Sequence, residues 1–232
     1  MSLSRRDQLA ANLEIVEERI SAACATAGRA RDELTLVVVT KTYPASDVDL
    51  LVGLGVTDVG ENRHPEAGRK LADLAGPLPR MHFIGGLQTN KAAAVARYAD
   101  VVQSVDRDRL IAGLARGAEE AGGVVGCLVQ VDFGDAPGRS GVAPGDVSVL
   151  ADRVAAAPGL RLDGVMTVAP IGVDPAPVFD RLRRVSEQMQ ADHPNATVIS
   201  AGMSDDFDVA VVTGATHLRV GRSILGERVS LR

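Results

Sequence analysis

Short apolar runs alternate with longer segments of helical spacing along most of the sequence. The first run, residues 34–39, is apolar and rich in β-branched residues, and Pro44 follows soon after it. Such runs are typical of short buried strands. The pattern predicts eight strands, at residues 35–40, 57–60, 81–84, 101–104, 124–131, 162–168, 197–200 and 217–220.

The segments between these strands have helical spacing, and several begin with Ser, Thr or Asp at a cap position. The predicted helices lie at residues 46–54, 63–74, 88–97, 107–121, 146–156, 175–191 and 205–213. Ahead of the first strand, apolar residues recur at helical spacing with charged residues between them, namely Leu9, Leu13, Val16 and Ile20. We therefore predict an N-terminal helix within residues 1–27 that ends before Gly28 and packs on the outside of the other elements.

Strand followed by helix, repeated along the chain, predicts parallel strand pairing. Eight such units between residues 35 and 228 fit the smaller end of the (β/α)8 TIM barrel range, so we predict a single barrel domain over residues 1–232. An open doubly wound sheet is the alternative. It would need a glycine-rich fingerprint after an early strand, and residues 41–44 (KTYP) are not one.

Composition narrows the function classes. The 232 residues are 46% hydrophobic and 24% charged, with a formal charge of −5 and a pI near 5.4, which argues against a nucleic-acid surface. No secretion signal or membrane-spanning run is evident. Cys24 and Cys127 are isolated, and the histidines lack metal-ligand spacing, so we expect no metal site and a reduced, cytoplasmic protein.

Lys41, directly after the first predicted strand, is the strongest candidate for chemistry. Only three of the 25 basic residues are lysines, so this Arg-rich chain keeps an amine here. An amine can condense with a carbonyl group, whereas a guanidinium cannot. The alternative is that Lys41 covers apolar surface with its stem while its charged end reaches water.

In a barrel, the carboxyl ends of all strands face one common mouth, and the loops after strands seven and eight commonly bind phosphate. Here those loops contain residues 200–206 (SAGMSDD) and 219–223 (RVGRS), with glycines, hydroxyls and helix starts. Alternatively, Ser204 caps a helix that begins at Asp205, with Gly202 making the turn. A phosphate site opposite a strand-end lysine predicts a phosphorylated aldehyde, and pyridoxal 5′-phosphate is the common ligand of that kind.

Several motifs occur together and in order: residues 38–42 (VVTKT), 60–62 (GEN), 82–91 (HFIGGLQTNK), 202–207 (GMSDDF) and 219–226 (RVGRSILG). With them the chain resembles the pyridoxal-phosphate homeostasis protein family, whose fold is similar to the N-terminal barrel of alanine racemase. The resemblance covers about residues 5 to 228.

This resemblance implies roles for individual residues. Lys41 would carry the cofactor as a Schiff base and Arg219 would face its pyridine nitrogen. The residues implied at the phosphate or its loop are Ser200, Gly202, Ser204, Gly221 and Arg222. Asn62 would lie beside the ring, unless it only forms a turn.

Arg219 has an alternative role, and Arg222 departs from the family pattern. The alternative for Arg219 is an ion pair inside the mouth with Asp132. Arg222 stands where the family usually has Thr or Ser, so an ionic contact or Ser223 would replace a hydroxyl. Lys70 is expected on a helix surface.

The resemblance implies a carrier that buffers or delivers pyridoxal phosphate, with apo-enzymes that depend on it as partners. One alternative is an amino-acid racemase. It needs proton transfer on both faces of the substrate, and neither Tyr43 nor Tyr98 is well placed for the second face. The other alternative is an aldolase-like barrel that uses Lys41 without a cofactor. No apolar patch predicts a dimer, so we expect a monomer that binds neither nucleic acid nor membranes.

Overall fold

The computed structural model describes residues 3–134 and 140–226. Eight parallel strands follow one another around a closed barrel in chain order. Their bounds are β1 Thr35–Val39, β2 Asp58–Glu61, β3 Arg80–Phe83, β4 Val101–Val105, β5 Val125–Gln130, β6 Leu160–Met166, β7 Val198–Ser200 and β8 His217–Val220. The predicted barrel class is confirmed, and each predicted strand overlaps an observed one.

Pairing of the first strand with the last closes the barrel. β1 pairs in parallel with β2, where Val37 lies opposite Asp58, and with β8, where Thr35 lies opposite His217. Because all neighbours are parallel, every strand ends at the same face of the barrel. Residues that directly follow different strands are therefore brought to one mouth.

Helices surround the barrel, and each predicted helix overlaps an observed one. Their bounds are α1 Arg5–Ala27, α2 Ala45–Val52, α3 Glu66–Ala72, α4 Ala92–Ala96, α5 Ile111–Ala121, α6 Val147–Ala155, α7 Pro175–Asp192, α8 Phe207–Val212 and α9 Arg222–Leu225. Single 3₁₀ turns precede α4, α5 and α6. None of the helices in the described ranges has both the length and the apolar character needed to cross a bilayer.

The N-terminal helix α1 packs on α2, α8 and α9 outside the barrel. Its start is capped by Ser4, whose hydroxyl accepts a hydrogen bond from the Asp7 amide, and it ends at Gly28 in the left-handed conformation (φ 65°). Arg5 pairs with Asp47 on α2 at 2.7 Å and also donates to the Leu225 carbonyl. The first turn of α1 thus fixes the short helix that follows β8.

Candidate functional site

A cavity of about 490 Å³ opens at the mouth of the barrel, between the loops that follow β1, β7 and β8. This volume is within the usual range for small-molecule sites. Five of the eight predicted cofactor residues line it, namely Lys41, Ser204, Arg219, Gly221 and Arg222. The strand-end rule therefore brings residues 181 positions apart in sequence, 41 and 222, into one site.

The backbone beside Lys41 has an unusual conformation. Thr42 has φ 72°, in the left-handed region, and is the only described residue other than glycine with a positive φ. The Tyr43 amide closes this turn by donating to the Thr40 carbonyl at 3.1 Å. Backbone conformations that non-glycine residues rarely adopt persist where the surroundings enforce them, and they cluster at binding sites.

A buried ion pair fixes the residue before Lys41. The Lys70 ammonium lies 2.5 Å from Glu61 Oε1 and donates to the Thr40 carbonyl at 2.8 Å. The Thr40 hydroxyl donates to the same Glu61 oxygen at 2.7 Å. The prediction that Lys70 lies on a helix surface was wrong, because its side chain is only 12% exposed and reaches from α3 to the end of β1. The one sequence feature that could have indicated this buried role is the presence of a lysine in a chain whose basic residues are mostly Arg.

Arg219 presents a buried positive charge to the cavity. Its side chain donates from Nη1 to Ser200 Oγ at 2.6 Å and from Nη2 to the Thr167 carbonyl at 2.7 Å. Burial lowers the pKa of Arg219 to about 10, so the guanidinium stays charged at neutral pH. The alternative ion pair with Asp132 is not among the contacts that Arg219 makes within the described part of the chain.

Ser200 and Gly202 lie behind Arg219. The Ser200 hydroxyl is fully buried and bonded to Arg219 and Gln103, and it does not line the cavity. Gly202 has φ 88° and accepts a hydrogen bond from the Arg219 amide at 3.0 Å. A Cβ at Gly202 would lie 2.8 Å from Phe207 Cα, so this loop position requires glycine. Both residues therefore hold Arg219 and its loop.

Ser204 and Arg222 lie on the facing loops after β7 and β8. Ser204 lines the cavity and does not cap α8, because α8 begins two residues later than predicted, at Phe207, with Asp206 at its N-cap position. Arg222 forms an ion pair with the exposed carboxylate of Asp205. The Ser204 hydroxyl and the Arg222 guanidinium therefore lie at the same side of the cavity.

Gly221 allows β1 and β8 to approach each other closely at the floor of the cavity, since a Cβ there would lie 2.9 Å from the Val39 carbonyl oxygen. Asn62 follows β2 at the same end of the barrel but is not among the described residues that line the cavity. Its carbonyl group lies against Gly85.

Sequence reasoning missed Tyr43 as a wall of the cavity. Its hydroxyl donates to the Gly226 carbonyl at 2.8 Å, and its ring lies 5.8 Å from the Arg5 guanidinium carbon. Its place two residues after Lys41 was the signal that could have indicated it. In the described ranges, no cluster of three His, Cys, Asp or Glu side chains could hold a metal ion.

The fold and this site define a class of protein. A family model described as alanine racemase, N-terminal domain, matches residues 5–229, so the chain belongs to that class of barrel. Pyridoxal phosphate homeostasis proteins of Mycobacterium bovis and Escherichia coli K12 are 37% identical over 243 residues and 33% identical over 234 residues. The alignments cover 97% and 96% of this chain, and 94% and 97% of the relatives. The chain belongs to the pyridoxal phosphate homeostasis protein family.

Solved structures agree with this assignment. PipY from Synechococcus elongatus, in a structure with pyridoxal phosphate bound, is 30% identical with a TM-score of 0.78. The superposition covers 89% of this chain and all of PipY.

Proposed function

We propose that this protein binds pyridoxal 5′-phosphate covalently through Lys41 and acts in the homeostasis of this cofactor. The observation that carries the proposal is the single cavity that unites an amine, a buried guanidinium and the two loops after β7 and β8. The names of the relatives and the ligand of PipY support it.

The residues at the cavity fit this cofactor. Pyridoxal phosphate supplies an aldehyde that condenses reversibly with a primary amine. Ser204, the backbone at Gly221, and Arg222 would hold its phosphate, with hydroxyl, amide and guanidinium donors on one side of the cavity. Asp205 would then share the Arg222 guanidinium with the phosphate. Asn62 is proposed beside the ring, and Ser200 and Gly202 are proposed to act by fixing Arg219 and its loop.

Arg219 favours a carrier over an enzyme. A guanidinium that stays protonated at neutral pH donates hydrogen bonds but accepts none, so a pyridine nitrogen facing it would remain unprotonated. An unprotonated ring withdraws electrons less well from a bound amino acid. We therefore propose a protein that buffers or delivers the cofactor. We further propose that apo-enzymes are the recipients and that the active form is a monomer.

Racemisation is a second candidate because Tyr43 lines the cavity. Its hydroxyl is held by the Gly226 carbonyl, so it could move a proton only after that hydrogen bond breaks. Exchange of the alanine α-hydrogen in heavy water, at a rate that falls in Tyr43→Phe, would favour this function over a carrier.

Borohydride reduction of the protein with pyridoxal phosphate, followed by peptide mass mapping, tests the main proposal. We expect one pyridoxyl adduct, on the peptide that contains Lys41, and its loss in Lys41→Ala. Lys91→Ala is the matched control because Lys91 also follows a strand of the barrel but does not line the cavity. An adduct that persists in Lys41→Ala would refute attachment through this residue.

A further inference from the structure

The interior of this barrel contains a row of bonded polar side chains. Barrel interiors are usually filled by layers of bulky apolar residues. Here five nearly or fully buried polar side chains from five strands contact one another in sequence, and we call them the interior network: Arg219 (β8), Ser200 (β7), Gln103 (β4), His82 (β3) and Asp58 (β2). It begins at the cavity and crosses the barrel.

Each step of the interior network is a hydrogen bond of 2.6 to 2.9 Å. Arg219 Nη1 lies 2.6 Å from Ser200 Oγ, which lies 2.7 Å from Gln103 Oε1. Gln103 Nε2 lies 2.9 Å from His82 Nδ1, and His82 Nε2 lies 2.8 Å from Asp58 Oδ1. The Asp58 carboxylate also accepts a bond from the neighbouring Thr57 hydroxyl at 2.7 Å.

The direction of these bonds follows from chemistry at the Arg219 end. A guanidinium can only donate, so Ser200 Oγ must accept from it. The one proton of the Ser200 hydroxyl is then donated to the Gln103 side-chain oxygen. The amide nitrogen of Gln103 consequently faces the histidine and donates to its Nδ1.

His82 is thereby fixed in one protonation state. Because Nδ1 accepts a hydrogen bond from Gln103, it carries no proton, and the single ring proton is on Nε2, where it is donated to Asp58. Turning the Gln103 amide around would leave the Ser200 hydroxyl proton without an acceptor among its described contacts. A charged His82 is therefore incompatible with the intact network.

The two ends of the interior network carry opposite charges. In the described part of the chain, the guanidinium of Arg219 is bonded to neutral groups, Ser200 and the Thr167 carbonyl. Asp58 at the other end is a carboxylate, and hydrogen bonds that all point the same way polarise one another. Burial would raise the pKa of Asp58, but the hydrogen bonds from His82 and Thr57 hold it below its usual value.

We propose that the interior network positions the Arg219 guanidinium for the cofactor by keeping His82 neutral, with its proton on Nε2. Gln103 and His82 are thus positioning residues for a site that neither of them touches. The part that concerns the cofactor rests on the proposed function, whereas the protonation state of His82 does not.

Other titratable groups lie around His82. The His217 ring on β8 lies 6.1 Å from it, and Arg80 and Asp163 act on His217 from β3 and β6. Burial lowers the pKa of His217 to about 4. His217 is therefore neutral near pH 7 as well.

Nitrogen-15 NMR of the histidine rings, on protein without cofactor, tests the protonation state. The chain has four histidines, so replacing His64, His193 and His217 in turn assigns the His82 signals by elimination. At pH 7 we expect the neutral tautomer protonated at Nε2. A proton on Nδ1, either alone or in an imidazolium, would overturn the proposal.

Gln103→Glu provides a second spectroscopic test that a merely structural role would not pass. A carboxylate at this position accepts from Ser200 but cannot donate to His82 Nδ1, so we expect His82 to gain a proton on Nδ1. The expected result is a shift of the Nδ1 signal to that of a protonated nitrogen. An unchanged His82 spectrum in folded Gln103→Glu would overturn the proposed direction of the bonds.

Cofactor binding tests the positioning role. In Gln103→Leu, Ser200 loses the acceptor that orients it beneath Arg219, so we expect the dissociation constant for pyridoxal phosphate to rise about tenfold, as for one lost hydrogen bond, and the absorption maximum of the bound cofactor to shift. Ser104→Ala is the matched control, because Ser104 is the next residue on β4 and its buried hydroxyl has no partner among described groups. Equal affinities in the two variants would overturn the positioning role. Absence of binding in the unaltered protein would instead refute the proposed function.

Discussion

The buried pair of Lys70 and Glu61 allows a quantitative prediction. The two side chains are 12% and 3% exposed and their charged atoms are 2.5 Å apart. In Lys70→Met the Glu61 carboxylate keeps only the Thr40 hydroxyl from this group of contacts. Removing one partner of a buried pair leaves an uncompensated charge, which costs about 3 kcal/mol or more.

Urea unfolding followed by circular dichroism measures this loss. With a slope of about 3 kcal/mol per molar urea, the midpoint should fall by about 1 M. Lys91→Met is the control, since Lys91 makes no ion pair with the described residues and should change stability by less than about 0.5 kcal/mol.

The double variant Glu61→Gln with Lys70→Met sharpens the interpretation. It removes both charges, so it should be more stable than Lys70→Met alone. A loss in Lys70→Met no larger than that in Lys91→Met would refute the reasoning, because the pair would then behave like an exposed one, worth at most about 1 kcal/mol.

Three further predictions concern other described residues. Gly202→Ala should lower the free energy of unfolding in urea by more than about 2 kcal/mol, because φ is 88° and the new Cβ would lie 2.8 Å from Phe207 Cα. Gly28 also has a left-handed conformation, but no atom lies within 4 Å of a Cβ placed there, so Gly28→Ala should lose less. Since the pKa of His217 is about 4 when folded, below its unfolded value of about 6.5, the unfolded state binds more protons between these values. The free energy of unfolding should therefore have its full value above about pH 6.5 and fall by roughly 3 kcal/mol as the pH drops to 4. His217→Gln should show a smaller pH dependence. Burial raises the pKa of Cys127 to about 12, so a thiol reagent at pH 8 should modify it only after unfolding; rapid labelling of the native protein would contradict this.

The predicted strand bounds agree with the observed ones where the apolar run is continuous and are displaced where it is not. The sixth strand was predicted from residue 162, but β6 begins at Leu160. Arg161 and Asp163 pair with each other at 2.5 Å on the face of this strand opposite Leu160 and Leu162, so its first residues alternate between apolar and charged. A strand covered on one side and partly exposed on the other gives this alternation, and a search for apolar runs misses it. Helix α9, with four residues, is too short to show a helical period.

The site was predictable to the extent that strand order determines it. Lys41 and Arg219 lie at the ends of adjacent strands β1 and β8, and a closed parallel barrel must bring them together. Lys70 and Gln103 were not predictable in this way. Their partners depend on which way a helix side chain reaches and on which strand residue points inward, and neither feature has a local sequence pattern. Ser200 shows the same limit, because its position in the loop motif does not reveal that its hydroxyl lies beneath Arg219.

The polar interior has an energetic consequence for the fold as a whole. Buried charged and polar groups are generally less stabilising than well-packed apolar residues of similar volume, even when every hydrogen bond is made. A barrel with apolar residues at all five positions of the interior network would therefore be expected to unfold at higher urea concentration, if it packed well. That barrel would lack the Arg219 guanidinium that lines the cavity. The interior network is consequently better explained by the site that it supports than by the stability of the barrel.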